Sequence, residues 1–318
     1  MVIPPLDAPF TSTVHPNVRE ADEQVIQWVN SFRLAPRPEW AAYYRKAKFT
    51  WFAARCFPQT ALPGLVLAAE FNVWLFLLDD SCDEITPGRK YTYISRMASE
   101  LTLALAGYLP SPGDARAAPL VIALWDLWQR LKAIGGLSWQ RHFIDCMTRY
   151  LDACKLEAAF LDGQIPPTLD SYTRNRPYLG AVHLEPALAQ ALCDLTLPVN
   201  LRSHPLTEAV TLLCCNIVCW ANDLFSLEKE LCNGDTHNLV LVLRHERHYS
   251  LSEAIREAAA IHNRDVTQFM ELSGQLTADP IRRPVISPYI RALQNIISAN
   301  MEWSLKDSNR YQKDSRPR

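Results

Sequence analysis

Apolar positions recur with a helical period along almost the whole chain. Over 19–32, Val25, Ile26, Trp28 and Val29 share one broad face, and a second helix is predicted over 39–55, between Pro38 and Pro58. Pro63 opens a long apolar helix that runs into Asp79-Asp80-Ser81-Cys82-Asp83-Glu84 and is stopped by Thr86-Pro87-Gly88. Helices follow over 89–108, 118–134 and 138–161, with a loop at 109–114, a stop at Gly135-Gly136 and Ser138 as an N-cap. Pro166-Pro167 breaks the chain; 170–176 is helical, and Pro177 and Gly180 should interrupt it before 184–195. A run over 205–232 ends at Asn233-Gly234-Asp235, and helices are predicted near 238–247, 251–277 and 286–304. No β alternation, internal repeat or low-complexity linker appears. The expectation is a single all-α domain of about a dozen helices over residues 20–312. A proline-rich segment, 1–19, precedes it, and a polar tail, 313–318, follows it.

Composition narrows the classes. The chain has 318 residues, 48% hydrophobic and 21% charged, with a formal net charge of −2. That is enough for a large core and offers no electrostatic case for nucleic acid or an anionic membrane. The most membrane-like stretch, 61–78, carries Pro63, Glu70 and Asn72 and reads as a buried core helix. Nine cysteines are scattered without metal-ligand or disulfide spacing, which suits buried thiols in a reducing cytoplasm. The first residues lack a basic segment followed by an apolar core, so no signal peptide is expected.

Two polar clusters carry the candidate chemistry, each ending an apolar helix. In the first, four carboxylates within six residues stand at a helix C-terminus, the end where the dipole disfavours negative charge. Asp79 and Asp83 share a face, and Asp80 and Glu84 form the adjacent pair. In the second, Asn222, Ser226 and Glu230 fall on one stripe about 12 Å long. An amide oxygen, a hydroxyl and a carboxylate are hard donors of the kind Mg²⁺ accepts, and Lys229 could reach an anion held there. Either cluster alone could be a solvated helix end. If the two helices face each other, the clusters make a mouth that could clamp metal ions against a diphosphate.

The pair Asp79-Asp80-x-x-Asp83 and Asn222-Asp223-x-x-Ser226-x-x-x-Glu230 resembles the class I terpene cyclases of the bacterial and fungal single-domain type. The first motif also occurs in prenyl chain-elongating synthases; the second is specific. The resemblance extends over roughly residues 50–312. It implies a helical bundle around a central active-site cavity. It further implies Arg176 as a diphosphate-sensing arginine before a helix break, Arg310-Tyr311 as a diphosphate-binding pair, and His237-Asn-Leu-Val as a familiar run. One departure stands at Leu179, where the family often has a small or acidic polar residue; Gly180 follows it. A variant spacing, Asp79-Asp80-x-x-x-Glu84, leaves Asp83 and Glu84 as alternative metal contacts.

The implied reaction is Mg²⁺-dependent ionisation and cyclisation of an acyclic prenyl diphosphate, with farnesyl diphosphate first and geranylgeranyl diphosphate second. The resemblance implies three Mg²⁺ ions, with Mn²⁺ as the substitute, on Asp79, Asp83 or Glu84, Asn222, Ser226 and Glu230. Arg176, Lys229, Arg310 and Tyr311 would bind the diphosphate. Phe76, one turn below Asp79, with Phe52 and Trp303, would contour a dry cavity whose aromatic faces tolerate a carbocation. Gly180, with its carbonyl, would neighbour that cation. A homodimer is compatible with the family. The rival readings are a chain-elongating transferase and a non-catalytic helical protein that binds metal or prenyl diphosphate.

Overall fold

A computed structural model describes residues 2–35, 37–108, 118–195 and 197–311. The described residues form fourteen α-helical segments and one π-helical turn, with no strand. The predicted loop at 109–114 and the tail at 313–318 lie outside them.

A closed ring of helices surrounds the interior. Around the ring run α3 (Phe49–Cys56), α4 (Leu62–Asp83), α5 (Lys90–Leu105), α7 (Leu137–Asp162), α8 (Leu169–Leu179), α11 (Pro205–Asn233) and α14 (Arg283–Glu302). Each packs on the next, and α14 returns to α3. Helix α9 (Leu184–Leu192) touches α4, α7 and α14, and so plugs the ring. Outside stand α1 (Val18–Ser31) against α3 and α4, α6 (Ala118–Ile134) against α4 and α5, and α12 (Leu239–Glu246) and α13 (Leu251–Ala278) against α11. Helices α4 and α11 are long and apolar enough to cross a membrane, but 67% and 72% of their most apolar windows are buried inside the bundle. They are core helices, hydrophobic all round because protein surrounds them.

Four details differ from the periodicity. The single helix expected over 39–55 is two, α2 (Pro38–Ala47) and α3, because Lys48 takes a left-handed conformation (φ 51, ψ 48). That conformation costs a non-glycine residue about 1 kcal/mol, and no Gly or Pro announces it in the sequence. Ser138 lies inside α7 rather than capping it: Gly136 holds the cap position without a side chain, and the Ser138 hydroxyl accepts from Arg202 at 3.1 Å. Helix α8 runs through Pro177 and ends at Gly180, and the left-handed residue in the break is Ala181 (φ 58). A four-residue helix, α10 (Val199–Arg202), was not anticipated.

The proline-rich start is pinned to the bundle. The His15 N–H donates to the Ala54 carbonyl at 3.0 Å, and its ring Nε2 lies 2.8 Å from the Thr60 carbonyl. The Asp7 N–H donates to Asn263, which donates back to the Pro5 carbonyl, and Phe10 meets Phe269 edge-on at 5.6 Å.

Candidate active site

Helices α4 and α11 bring both polar clusters to one end of the ring. Carboxylate oxygens of Asp79, Asp80 and Asp83 all lie within 4.8 Å of one another. Glu84 is exposed at the C-cap of α4 and stands outside this group. More than half of the Asp79 side chain is accessible (56%). Even so, burial, and then the neighbouring Asp83 charge, raise its carboxyl above the usual range against the pull of Arg310. On α7, burial and the charges of Asp83 and Asp79 push Glu157 up to about 8. Lys229, on α11, is close enough to lower the Asp79 carboxyl in turn.

The Arg310-Tyr311 pair spans the mouth. The Arg310 guanidinium donates to Asp79 at 2.9 Å, to Asp80 at 3.2 Å and to the Tyr43 hydroxyl of α2 at 2.6 Å. It lies over the rings of Phe76 and Phe49, 4.9 and 5.5 Å from their centroids. The next residue reaches the other motif: the Tyr311 hydroxyl accepts from the Asn222 amide at 2.8 Å. Two adjacent residues thus tie α4 to α11.

Arg176 completes the α11 side. Its Nε donates to Asp223 at 2.9 Å, and its Nη2 reaches Asp223 and the Asn222 amide oxygen, both at 2.8 Å. Burial disfavours the guanidinium cation, but the Asp223 carboxylate overcomes this and holds it charged. Asp223 also accepts from the Tyr172 hydroxyl at 2.6 Å and from the Leu239 N–H at 3.0 Å. Ser226 donates to the Asn222 carbonyl one turn back, and Glu230 accepts from Asn238 at 2.7 Å. Burial, and then the Asp223 charge, push Glu230 up to about 7, against hydrogen bonds from Ser226 and Asn238. Asn238 also caps α12 by accepting from the Val240 N–H. Its neighbour His237 is pushed down to about 4 by burial and by Lys90.

The departure at Leu179 is answered elsewhere. The Arg176 carbonyl accepts from the Gly180 N–H at 3.0 Å and from the Cys219 thiol at 3.4 Å. A Cβ on Gly180 would sit 2.6 Å from the Cys219 sulfur and 3.0 Å from Arg176 Nη1, so glycine is required by close approach, not by its φ of −69°.

Beneath the charged tier lies an aromatic wall. Phe76 is half-buried, stacked on Phe49 at 4.1 Å and edge-on to Phe52 at 6.2 Å. Trp303 backs both Phe52 and Phe76 at 5.5 Å and is only 1% exposed, so its ring supports the wall from behind.

The mouth therefore combines a carboxylate cluster, a second set of oxygen donors, two arginines held by short hydrogen bonds, and the nearby charge of Lys229. Its oxygen donors suit divalent cations and its arginines suit a polyanion, beside the aromatic wall. A sequence profile described as "Terpene synthase family 2, C-terminal metal binding" matches residues 70–268, which include the carboxylate end of α4 and all of α11. The chain belongs to the terpene synthases.

Relatives of this synthase agree along nearly its whole length. It is 30% identical to the (+)-eremophilene synthase of Sorangium cellulosum, over 95% of this chain and 91% of that one. It is also 30% identical to a (+)-T-muurolol synthase ((2E,6E)-farnesyl diphosphate cyclizing) of Roseiflexus castenholzii, over 93% and 90%. The crystal structure of an α-eudesmol synthase superposes with a TM-score of 0.85 at 25% identity, covering 96% of this chain and all (100%) of that one. The synthase is thus an all-α lyase with a metal-binding region. Sequence reasoning singled out Asp79, Asp83, Glu84, Arg176 and the α11 residues. It missed Asp80 as a site member and Asp223 and Asn238 as partners, and it missed Tyr43 and Tyr172 because no local pattern marks a contact between distant helices.

Proposed function

We propose that the synthase ionises farnesyl diphosphate and cyclises the resulting carbocation to a sesquiterpene, releasing diphosphate. The observation that carries this reading is the run of contacts Asp79–Arg310-Tyr311–Asn222–Arg176–Asp223, which links both oxygen-rich motifs and two arginines around one mouth. Supporting the substrate, the T-muurolol synthase relative is farnesyl diphosphate cyclizing.

The donor set fits Mg²⁺, with Mn²⁺ as a substitute: carboxylate, amide and hydroxyl oxygens, with like charges crowded enough to raise Asp79. Asp79 and Asp83 would hold ions on the α4 side, and Asn222, Ser226 and Glu230 on the α11 side, three ions in all. When bound, such ions stabilise negative charge on the leaving diphosphate. Arg176 is pre-aimed by Asp223 and Asn222, so its fork needs little reorganisation to bind an anion. Arg310 stands at the same carboxylates, with Tyr311 and Lys229 beside it, to grip the diphosphate. Phe76 and Phe52, backed by Trp303, keep water and nucleophiles from the cation, and the Gly180 break abuts Arg176. All nine cysteines are free thiols, in keeping with a cytoplasmic enzyme.

The test is incubation of the full chain with geranyl, farnesyl and geranylgeranyl diphosphates, with and without Mg²⁺, reading products by gas chromatography with mass detection and diphosphate release in parallel. A Mg²⁺-dependent cyclic C15 product from farnesyl diphosphate is expected. Turnover of geranylgeranyl diphosphate alone, or consumption of added isopentenyl diphosphate, would overturn the substrate or the reaction.

A further inference from the structure

The segment that presents Arg310 and Tyr311 is held by a second, buried arginine. Helix α14 does not end cleanly; it loosens into a π-helical turn, Trp303–Asp307. Such turns are rare and concentrate at functional sites, because i→i+5 bonding leaves the last turn poorly satisfied by itself. Here external contacts to α2 and α3 satisfy it. The Trp303 indole N–H reaches the carbonyls of Ala47 and Lys48, on either side of the α2–α3 break, at 3.0 and 2.9 Å. The Asn309 N–H reaches the Lys46 carbonyl at 3.4 Å. Between these points, Arg55 Nε, on α3, donates to Asp307 at 2.5 Å, and its Nη1 lies 3.9 Å from Glu302. Arg55 is 8% exposed, although it takes no part in the site itself.

A third element holds the other side of the same guanidinium. Nη1 of Arg55 donates to the Ser12 hydroxyl at 3.0 Å, within the proline-rich start. That start is fastened on both sides of Ser12, by His15 to α3 and by Phe10 to α13. One buried cation therefore joins the N-terminal segment, α3 and the turn that ends three residues before Arg310.

We propose that Arg55 is a positioning residue for the diphosphate grip: it fixes the π-helical turn through Asp307, so that Arg310 and Tyr311 stand at the mouth, and the N-terminal segment, through Ser12, keeps Arg55 in place. This rests on the reading of Arg310 as a diphosphate contact. The proline-rich start is then a working part of the site, acting at a distance.

The experiment compares Arg55→Met, Asp307→Asn, Ser12→Ala, Arg310→Lys and the Arg55→Met/Arg310→Lys double variant in the full chain. Each is assayed for inhibition by inorganic pyrophosphate with Mg²⁺, kcat and KM with farnesyl diphosphate, product profile and melting temperature. Losing a charge-assisted hydrogen bond that orients the grip should weaken pyrophosphate inhibition about tenfold in Arg55→Met and Asp307→Asn, and less in Ser12→Ala. Acyclic alcohols should rise as water enters, and Asp307→Glu should recover most of the loss. The double variant should be no weaker for pyrophosphate than Arg310→Lys alone, because there is then little left to position. A fall in melting temperature with pyrophosphate inhibition unchanged, or losses that multiply in the double variant, would overturn the inference and leave Arg55 purely structural. If Arg310→Lys itself binds pyrophosphate normally, the reading of Arg310 fails first and this inference falls with it. Should Arg55→Met not fold, Asp307→Asn removes the same bond from the more exposed partner and is judged by the same outcomes.

Discussion

At the end of α4, three carboxylates crowd within 4.8 Å and are answered by Arg310 and, through its charge, Lys229. At the facing position on α11, Asp223 is 1% exposed and receives Tyr172, Arg176 and the Leu239 N–H in a set of short hydrogen bonds. Asp223 is satisfied by the protein alone. The α4 motif remains under like-charge repulsion that an incoming cation would relieve. Stability should therefore depend most on Asp223, and relief of charge repulsion by metal most on α4.

The sharpest way to break this contrast is Asp223→Ala, which strands the buried Arg176 cation. Removing one partner of a buried pair costs roughly 3–5 kcal/mol, so the melting temperature should fall by roughly 5–10 °C whether or not Mg²⁺ is present. A variant that melts with the wild type in differential scanning calorimetry would show that α11 is not the structural half. Asp83→Asn should act the opposite way. It removes a charge that raises both Asp79 and Glu157, so the metal-free protein should melt slightly higher while Mg²⁺-dependent turnover collapses. Its pH dependence sharpens the point. A carboxyl raised in the folded state stabilises the fold below its unfolded value and loses that contribution as pH rises through the folded value. For Glu157 that window runs from 4.5 to about 8. Metal-free wild type should thus be less stable at pH 8 than at pH 5, and Asp83→Asn should flatten the slope; an unchanged slope would mean that Asp83 does not govern the cluster. The smallest effect is expected from Glu84→Gln. Exposed and outside the cluster, it should stay within about 0.5 kcal/mol in stability and about twofold in turnover. A large loss of Mg²⁺-stimulated activity would instead make Glu84 the second metal contact.

How much of this the sequence carries depends on the range of each interaction. Helices α4 and α11 are legible because each is an apolar run opened by proline and closed by polar residues, and a 3.6-residue period places Asp79 with Asp83 and Asn222 with Ser226. Glu84 and Asp83 look equivalent on that basis and are both exposed; what separates them is that only the Asp83 carboxylate falls within the cluster with Asp79 and Asp80. The Lys48 break has no such signature. It is braced by Trp303, 255 residues away, whose indole N–H donates to the Lys48 carbonyl. Tyr43 and Tyr172 likewise earn their places only when distant helices meet, whereas Asn238 lies 8 residues from Glu230 and acts through the turn between α11 and α12. Family resemblance supplied Arg176 and Arg310-Tyr311, whose local sequence is unremarkable charge and aromatic.

The separation between partners also sets an order of events during synthesis. Arg310 meets Tyr43 across 267 positions, Trp303 meets Ala47 across 256, and Arg55 meets Asp307 across 252. Contacts of such span form late, since loop closure must precede them and a partner must be synthesised before it can be met. A nascent chain that has already folded α4 and α11 still lacks the clasp across its mouth. The clasp is therefore a late-forming part of the fold, and a chain lacking residues 303–311 would leave α4 and α11 untied at the mouth.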